Sequence, residues 1–263
     1  MIGGIKAFFL SFLAFMATTG SASPLHHLSI AGATGSLAYL RRAVGGWEQL
    51  HPGYTVSISG GGSIAGLVEV SQGRINIGIS DVAPQREWIR GGALLSKPLG
   101  RTPLLIIAHS KIGVGQVSAS RMRAIFMGEI ASWKTVGGKS TPIIVVSRPL
   151  ASGALEALRK GILDGHRVTA RAIVQLSNGA VLAAVQETPG AVGFIESSDP
   201  PKTVQVLQVG RARYSQKRPQ NWPYWVTPSL YWCKPEGGMT QSLANYLATR
   251  PYRSEYGLFS LAS

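Results

Sequence analysis

The chain has 263 residues, 45% of them hydrophobic, and 26 Lys and Arg face 12 Asp and Glu for a net charge of +14. That much apolar content excludes a disordered polyelectrolyte. The basic residues are scattered, with no Lys/Arg run interleaved with aromatics and no zinc-finger, RNA-binding or helix-turn-helix signature, which argues against nucleic acid as a partner.

The first 23 residues read as a cleaved secretory signal. Lys6 forms a thin basic start, 7–17 is apolar apart from Ser11, and Gly20, Ser21, Ala22 and Ser23 offer small residues for cleavage. The apolar run is shorter than the roughly 18–20 residues that a spanning helix needs. No Cys follows it, so a lipid anchor is not expected. The single cysteine, Cys233, rules out an intramolecular disulfide. It sits in the apolar run SLYWC and is expected to be buried.

Strand-like runs then follow in order at 28–32, 54–59, 75–80, 103–109, 142–147, 172–176, 191–195, 203–209 and 226–232. Several are continuously apolar, as expected of strands covered on both faces. Helix-like runs lie between them at 36–50, 64–72, 119–127, 152–163, 179–187 and 238–249. This alternation predicts an α/β chain built on mostly parallel sheet. In such sheets a ligand sits beyond the carboxyl ends of the strands.

Four segments fall at those ends: AGATGS (31–36), SGGGSIAG (59–66), ISDVAP (79–84) and SRPLASGALEA (147–157). In the first, Thr34 offers a hydroxyl, and Gly35 and Ser36 offer N–H groups at a helix start. Helix N-termini carry unpaired donors and partial positive charge, which suit an anion. The competing reading is an ordinary turn capped by Thr34 or Ser36. In the second, three consecutive Gly allow close backbone approach before Ser63. The Gly-Lys-Ser/Thr ending of a nucleotide phosphate loop is absent.

Asp81 follows a buried strand. A carboxylate beside an anion makes sense if the anion carries a proton, because an ionised Asp only accepts hydrogen bonds. Phosphate has such a proton at neutral pH, whereas sulfate would meet Asp81 oxygen to oxygen. The competing reading is a cap or turn residue. Arg148 supplies a planar fork suited to an oxyanion, or it is a surface residue paired with Glu156. Ser152, Gly153 and Ala154 open the next helix. Ser177 and Asn178 read mainly as caps.

In this order the segments resemble the periplasmic phosphate-binding proteins of phosphate ABC importers. MRAIFMGEIASW (122–133), QETPGAVGFIES (186–197) and WVTPSLYW (225–232) add to the match, which spans nearly the whole chain after the signal. The resemblance implies a two-lobed type II periplasmic binding fold, a clamshell with a mixed, mostly parallel sheet in each lobe and a two-strand hinge near 103–109 and 226–232. Lobe one would hold 24–103 plus 226–263, and lobe two 104–225. Thr34, Gly35, Ser63 and Asp81 would bind phosphate from lobe one. Arg148, Ser152, Gly153 and Ala154 would bind it from lobe two.

The resemblance also implies a monomer that delivers phosphate to a membrane ABC permease, with no cofactor. Two positions depart from the family pattern. Leu150 stands where an Asp usually follows the Arg, and Ala154 stands where a hydroxyl residue follows Ser-Gly. Arg148 is therefore expected to be less restrained, with affinity or oxyanion selectivity altered. The same scaffold could instead serve as a sensor, or bind arsenate, sulfate or molybdate. A secreted phosphatase fits less well, since the five His lack metal-ligand spacing and Ala65 breaks a Gly-x-Ser-x-Gly elbow at Ser63.

Overall fold

The computed structural model describes residues 25–234, 238–249 and 258–260. The signal expected at 1–23 lies outside the described residues. The chain runs β1 (His26–Gly32), α1 (Leu37–Leu50), β2 (Tyr54–Gly60), α2 (Ser63–Ser71), β3 (Ile77–Ser80) and β4 (Leu94–Pro98). It continues through β5 (Thr102–Ala108), β6 (Gln116–Val117), α3 (Ala119–Met127), β7 (Ile144–Ser147), α4 (Gly153–Gly161) and β8 (Ile173–Val174). Then come α5 (Asn178–Glu187), β9 (Ala191–Glu196), β10 (Gln205–Val206), β11 (Gln208–Val209), β12 (Trp225–Val226), β13 (Ser229–Cys233) and α6 (Met239–Thr249).

These elements form two lobes. One sheet has the order β2-β1-β3-β13-β4, and the other β10-β5-β9-β7-β8 with β12 also on β5. Each sheet has its own apolar core. Ile30, Tyr39, Leu40, Trp47, Ile79 and Leu230 belong to the first. Leu105, Phe126, Trp133, Val146, Leu158 and Phe194 belong to the second. The helices pack by periodicity: α1 buries Tyr39, Leu40, Ala43, Val44 and Trp47, one face of a 3.6-residue repeat. Strands β3, β5 and β9 are buried along their whole length, which their mostly apolar sequences anticipate.

The sheets are more antiparallel than the strand–helix alternation implies. Parallel pairing holds at β1–β2, β1–β3, β7–β9 and β7–β8. The strands that follow the crossings between lobes, β5 and β13, run antiparallel to every neighbour. The two crossings lie side by side: Trp225 pairs with Pro103 and Val226 with Thr102, and the Leu99 N–H donates to the Pro228 carbonyl at 2.9 Å. Pro228 cannot donate to a ladder, so the run expected at 226–232 breaks there. β12 stays with the second sheet and β13 joins the first.

Other departures are local. The run at 172–176 keeps only two strand residues, both exposed at a sheet edge, and 203–209 divides between two sheets. Cys233 is only partly buried, and its Sγ donates to the Val70 carbonyl at 3.1 Å. Among the described residues no helix is long and apolar enough to cross a membrane.

Candidate functional site

The four segments come together. Thr34 follows β1, Ser63 follows β2, Asp81 follows β3 and Arg148 follows β7, so each lies beyond the carboxyl end of its strand. The ends of the two sheets face each other, and side chains from both lobes interlock. Arg148 is 4% exposed, so it is not the surface residue of the competing reading. Glu156 pairs instead with Arg159 at 2.6 Å and Lys160 at 3.5 Å.

Arg148 reaches across the cleft. Its Nη2 donates to Thr34 Oγ1 at 3.2 Å and to the Leu176 carbonyl at 3.2 Å, and its Nη1 donates to Asn178 Oδ1 at 3.1 Å. The Ile64 N–H also crosses, donating to the Ala151 carbonyl at 3.4 Å. Beside these contacts lies a cavity of about 390 Å³ between the lobes, lined among others by Thr34, Leu37, Gly60, Arg148 and Ser152.

The capping alternative can be decided residue by residue. Ser36 and Ser152 stand at the N-caps of α1 and α4, but neither side chain makes a capping hydrogen bond. Ser63 opens α2 behind Gly62, whose φ of +92° a side chain would strain. The Ser63 hydroxyl donates to Asp81 Oδ2 at 3.0 Å and accepts the Asp81 N–H at 3.2 Å. Ser177 does cap, accepting from the Ala180 N–H at 3.1 Å. Three buried serines at helix starts by the cleft therefore keep hydroxyls out of the caps, whereas Ser177 caps α5 and Ser118 caps α3 in the ordinary way.

Two glycines set how closely the lobes meet. The space that a Cβ at Gly153 would need, at the start of α4, is filled by Asp81 of the other lobe. The equivalent space at Gly35, just before α1, is filled by the carboxylate of Glu196 at the end of β9. Each lobe thus sends one carboxylate to a helix start of the other. Ala154 is fully buried in the second core, so it presents only its backbone to the site.

Glu196 and Asn178 complete the cluster. Asn178 clamps the backbone at Glu196: its Nδ2 donates to the Glu196 carbonyl at 3.2 Å, and its Oδ1 accepts the Glu196 N–H at 3.5 Å. The same Oδ1 accepts from Arg148, so one amide ties the arginine to the end of β9. Leu150, which is 85% exposed, has no polar side chain to hold the arginine, whose Nε has no partner among the described residues. The arginine's restraint comes from Asn178, Thr34 and the Leu176 carbonyl instead.

Burial pushes the Asp81 carboxyl up from 3.8 to about 6, against the Ser63 hydrogen bond and Arg148, which both favour the charged form. Burial also holds Glu196 well above the usual carboxylate range, with repulsion from Asp81 adding to it and Arg148 opposing it. Arg148 is lowered by burial, while Glu196 and then Asp81 act to keep it charged. Asp81 Oδ1 and Arg148 Nε are enclosed and have no protein partner among the described residues. A buried acceptor and a buried cationic donor left open where the lobes meet suit an oxyanion that carries a proton.

The raised Asp81 has a stability consequence. Folding then binds a proton more tightly than the unfolded chain does, so the Asp81 contribution is complete below 3.8 and is lost as pH rises through about 6. Asp81→Asn should accordingly stabilise the anion-free protein more at about pH 7.5 than at about pH 4. Thermal melts of both proteins at both pH values check this. An equal effect at the two would overturn it.

Residues 17–250 match the model of a PBP superfamily domain. The chain belongs to the PBP superfamily. Within it, the chain is 28% identical over 224 residues to the phosphate-binding protein PstS of Bacillus subtilis, covering 84% of this chain and 74% of that protein. A Clostridium perfringens protein crystallised with bound phosphate superposes with a TM-score of 0.82 at 20% identity, covering 90% of this chain and 100% of that one. An ABC-type phosphate transport receptor from Vibrio cholerae gives 0.71 at 22% identity, covering 88% and 99%. These superpositions show the same two-lobed fold.

All eight residues expected at the site lie where the lobes meet. Glu196 was not expected there, and Asn178 was expected mainly as a cap. Glu196 carries the signal that marks Asp81: a single acid closing an otherwise apolar strand, AVGFIE beside INIGISD.

Proposed function

We propose that this PBP superfamily member binds inorganic phosphate between its lobes and releases it unchanged to an ABC permease. The observation that carries the reading is the pair of open, enclosed groups, Asp81 Oδ1 and Arg148 Nε, where the lobes meet. Arg148 supplies the charged donor, and Asp81 accepts the anion's own proton. Thr34, Ser63 and Ser152 add hydroxyls. Gly35, Gly153 and Ala154 add backbone N–H groups at helix starts, where the partial positive charge favours an anion. The likeness to the Bacillus subtilis phosphate-binding protein supports this choice of ligand.

The lobes of this reading are 24–103 with 226–263, and 104–225, moving about the paired crossings at β5 and β12. The segment 1–23 directs export to the periplasm and is removed. The protein works as a monomer and turns nothing over, since its donors and acceptors suit an intact anion.

Calorimetric titration with phosphate and then sulfate at neutral pH tests the reading, with Asp81→Asn as the informative variant. Wild type should bind phosphate and reject sulfate. An unpaired oxygen–oxygen contact costs about 1–3 kcal/mol, so Asp81→Asn should narrow the preference by about tenfold to a hundredfold. An unchanged preference would show that Asp81 does not read the proton. Sulfate binding by wild type would move the function to another anion.

A further inference from the structure

We propose that Glu196 is a second specificity-determining carboxylate, so that the closed site holds its anion together with one proton more than Asp81 alone requires. The ligand class is an oxyanion with two ionisable protons, inorganic phosphate or arsenate, taken up in its dihydrogen form or with the second proton resting on Glu196. The inference rests on the phosphate reading and goes beyond it, since that reading needs only Asp81.

Glu196 is the last residue of β9, and Asn178 fixes its backbone on both sides. Its carboxylate crosses to Gly35 of the other lobe and takes up the space that any side chain there would need. It therefore lies at the very helix start that is expected to help bind the anion. Asn178 also links it to Arg148, the donor at the centre of the site.

The charged groups that act on Glu196 are Asp81 from the end of β3 and Arg148 from the end of β7. The elements packed around it otherwise present the neutral Gly35 backbone and the neutral Asn178 amide. Two ionised carboxylates against one guanidinium leave the closed site with net negative charge before any anion enters. In a poorly solvated cleft a like charge is strongly disfavoured. A proton therefore has to enter with the anion as the lobes close, whether it comes to rest on the anion or on Glu196. The raised affinity of Glu196 for protons agrees with this. Whether the proton rests on the carboxyl or on the anion, the complex contains it, and the pair titrates as one unit.

The test is titration of inorganic phosphate into wild type and Glu196→Gln from acid to mildly alkaline pH, each in two buffers of different ionisation enthalpy. The amide donates a hydrogen bond without needing the proton. Above neutrality, where free phosphate holds one proton, wild type should take up about one proton per anion and lose affinity about tenfold per pH unit. Glu196→Gln should take up close to none, and its profile there should be nearly flat, leaving it the tighter binder at alkaline pH.

Equal slopes and equal proton uptake in the two proteins would overturn the proposal. So would loss of phosphate binding by folded Glu196→Gln at every pH, which would make an ionised Glu196 the counter-ion that orients Arg148. If the variant fails to fold, wild-type proton uptake decides: close to zero above neutrality overturns the proposal, and about one supports it. Absence of phosphate binding by wild type at any pH would instead overturn the phosphate reading on which it rests.

Discussion

Arg148→Met is expected to weaken phosphate binding by about two to four orders of magnitude. A charge-assisted hydrogen bond contributes about 1.5–3 kcal/mol, and the guanidinium should make at least two to the anion. Met retains much of the apolar stem, so packing against the cleft wall changes little. The fold should survive, because Asp81 and Glu196 can take up protons when their counter-ion is lost. The anion-free variant should therefore melt close to wild type in acid and lower at neutral pH, where both carboxyls must ionise or hold protons against the solution. Arg148→Lys should fall between, since an ammonium keeps the charge but cannot span Thr34, Asn178 and the Leu176 carbonyl as the planar fork does. Calorimetry with phosphate reads the affinities. A loss of less than tenfold for Arg148→Met would mean that helix starts and hydroxyls, not the guanidinium, hold the anion.

Gly153→Ala is the second large effect, and it works by shape. The new methyl would collide with Asp81, whose Cβ and carboxyl occupy that space from the other lobe. Asp81 cannot swing aside, because its Oδ2 and N–H are both held by Ser63. Overpacking of this kind costs about 1–3 kcal/mol, so phosphate affinity should fall by about fivefold to a hundredfold or more. The backbone N–H is retained, so a lost donor is not the cause. Alanine favours helix over glycine, so α4 itself should be no less stable. The expected signature is normal melting without phosphate, weak binding, and no compaction on adding phosphate in small-angle scattering. An affinity within threefold of wild type would show that the lobes can close further apart than they do here.

Both variants act on contacts between residues far apart in the chain, and these were the least legible in the sequence. Local pattern located the elements well. The helix at 119–127 has the expected bounds, and the start of β7 moved only to Ile144 because the Ile143 N–H pairs with Ala131 outside the ladder. β4 was missed because LLSKP is short, half-exposed and ends in Pro, so it lacks a strand pattern. It forms because β13 offers it a register from Cys233 to Ser229. With Leu150 two residues on, Arg148 Nε has no partner among the described residues, and what restrains the arginine lies far off in the chain. The restraint comes from Asn178, 30 residues on, and Thr34, 114 residues back.

The sequence by itself determined the apolar strands, the helix faces and the four turns that end at Thr34, Ser63, Asp81 and Arg148. These depend on periodicity, glycine and helix-start chemistry, which act over a few residues. The tertiary structure alone decided that three of the helix-start serines do not cap, that Glu196 crosses to Gly35 while Asp81 crosses to Gly153, and that one arginine faces two carboxylates. Those outcomes depend on how two sheet ends meet across a cleft, and on the low polarity created there by burial. No local stretch of sequence carries either quantity.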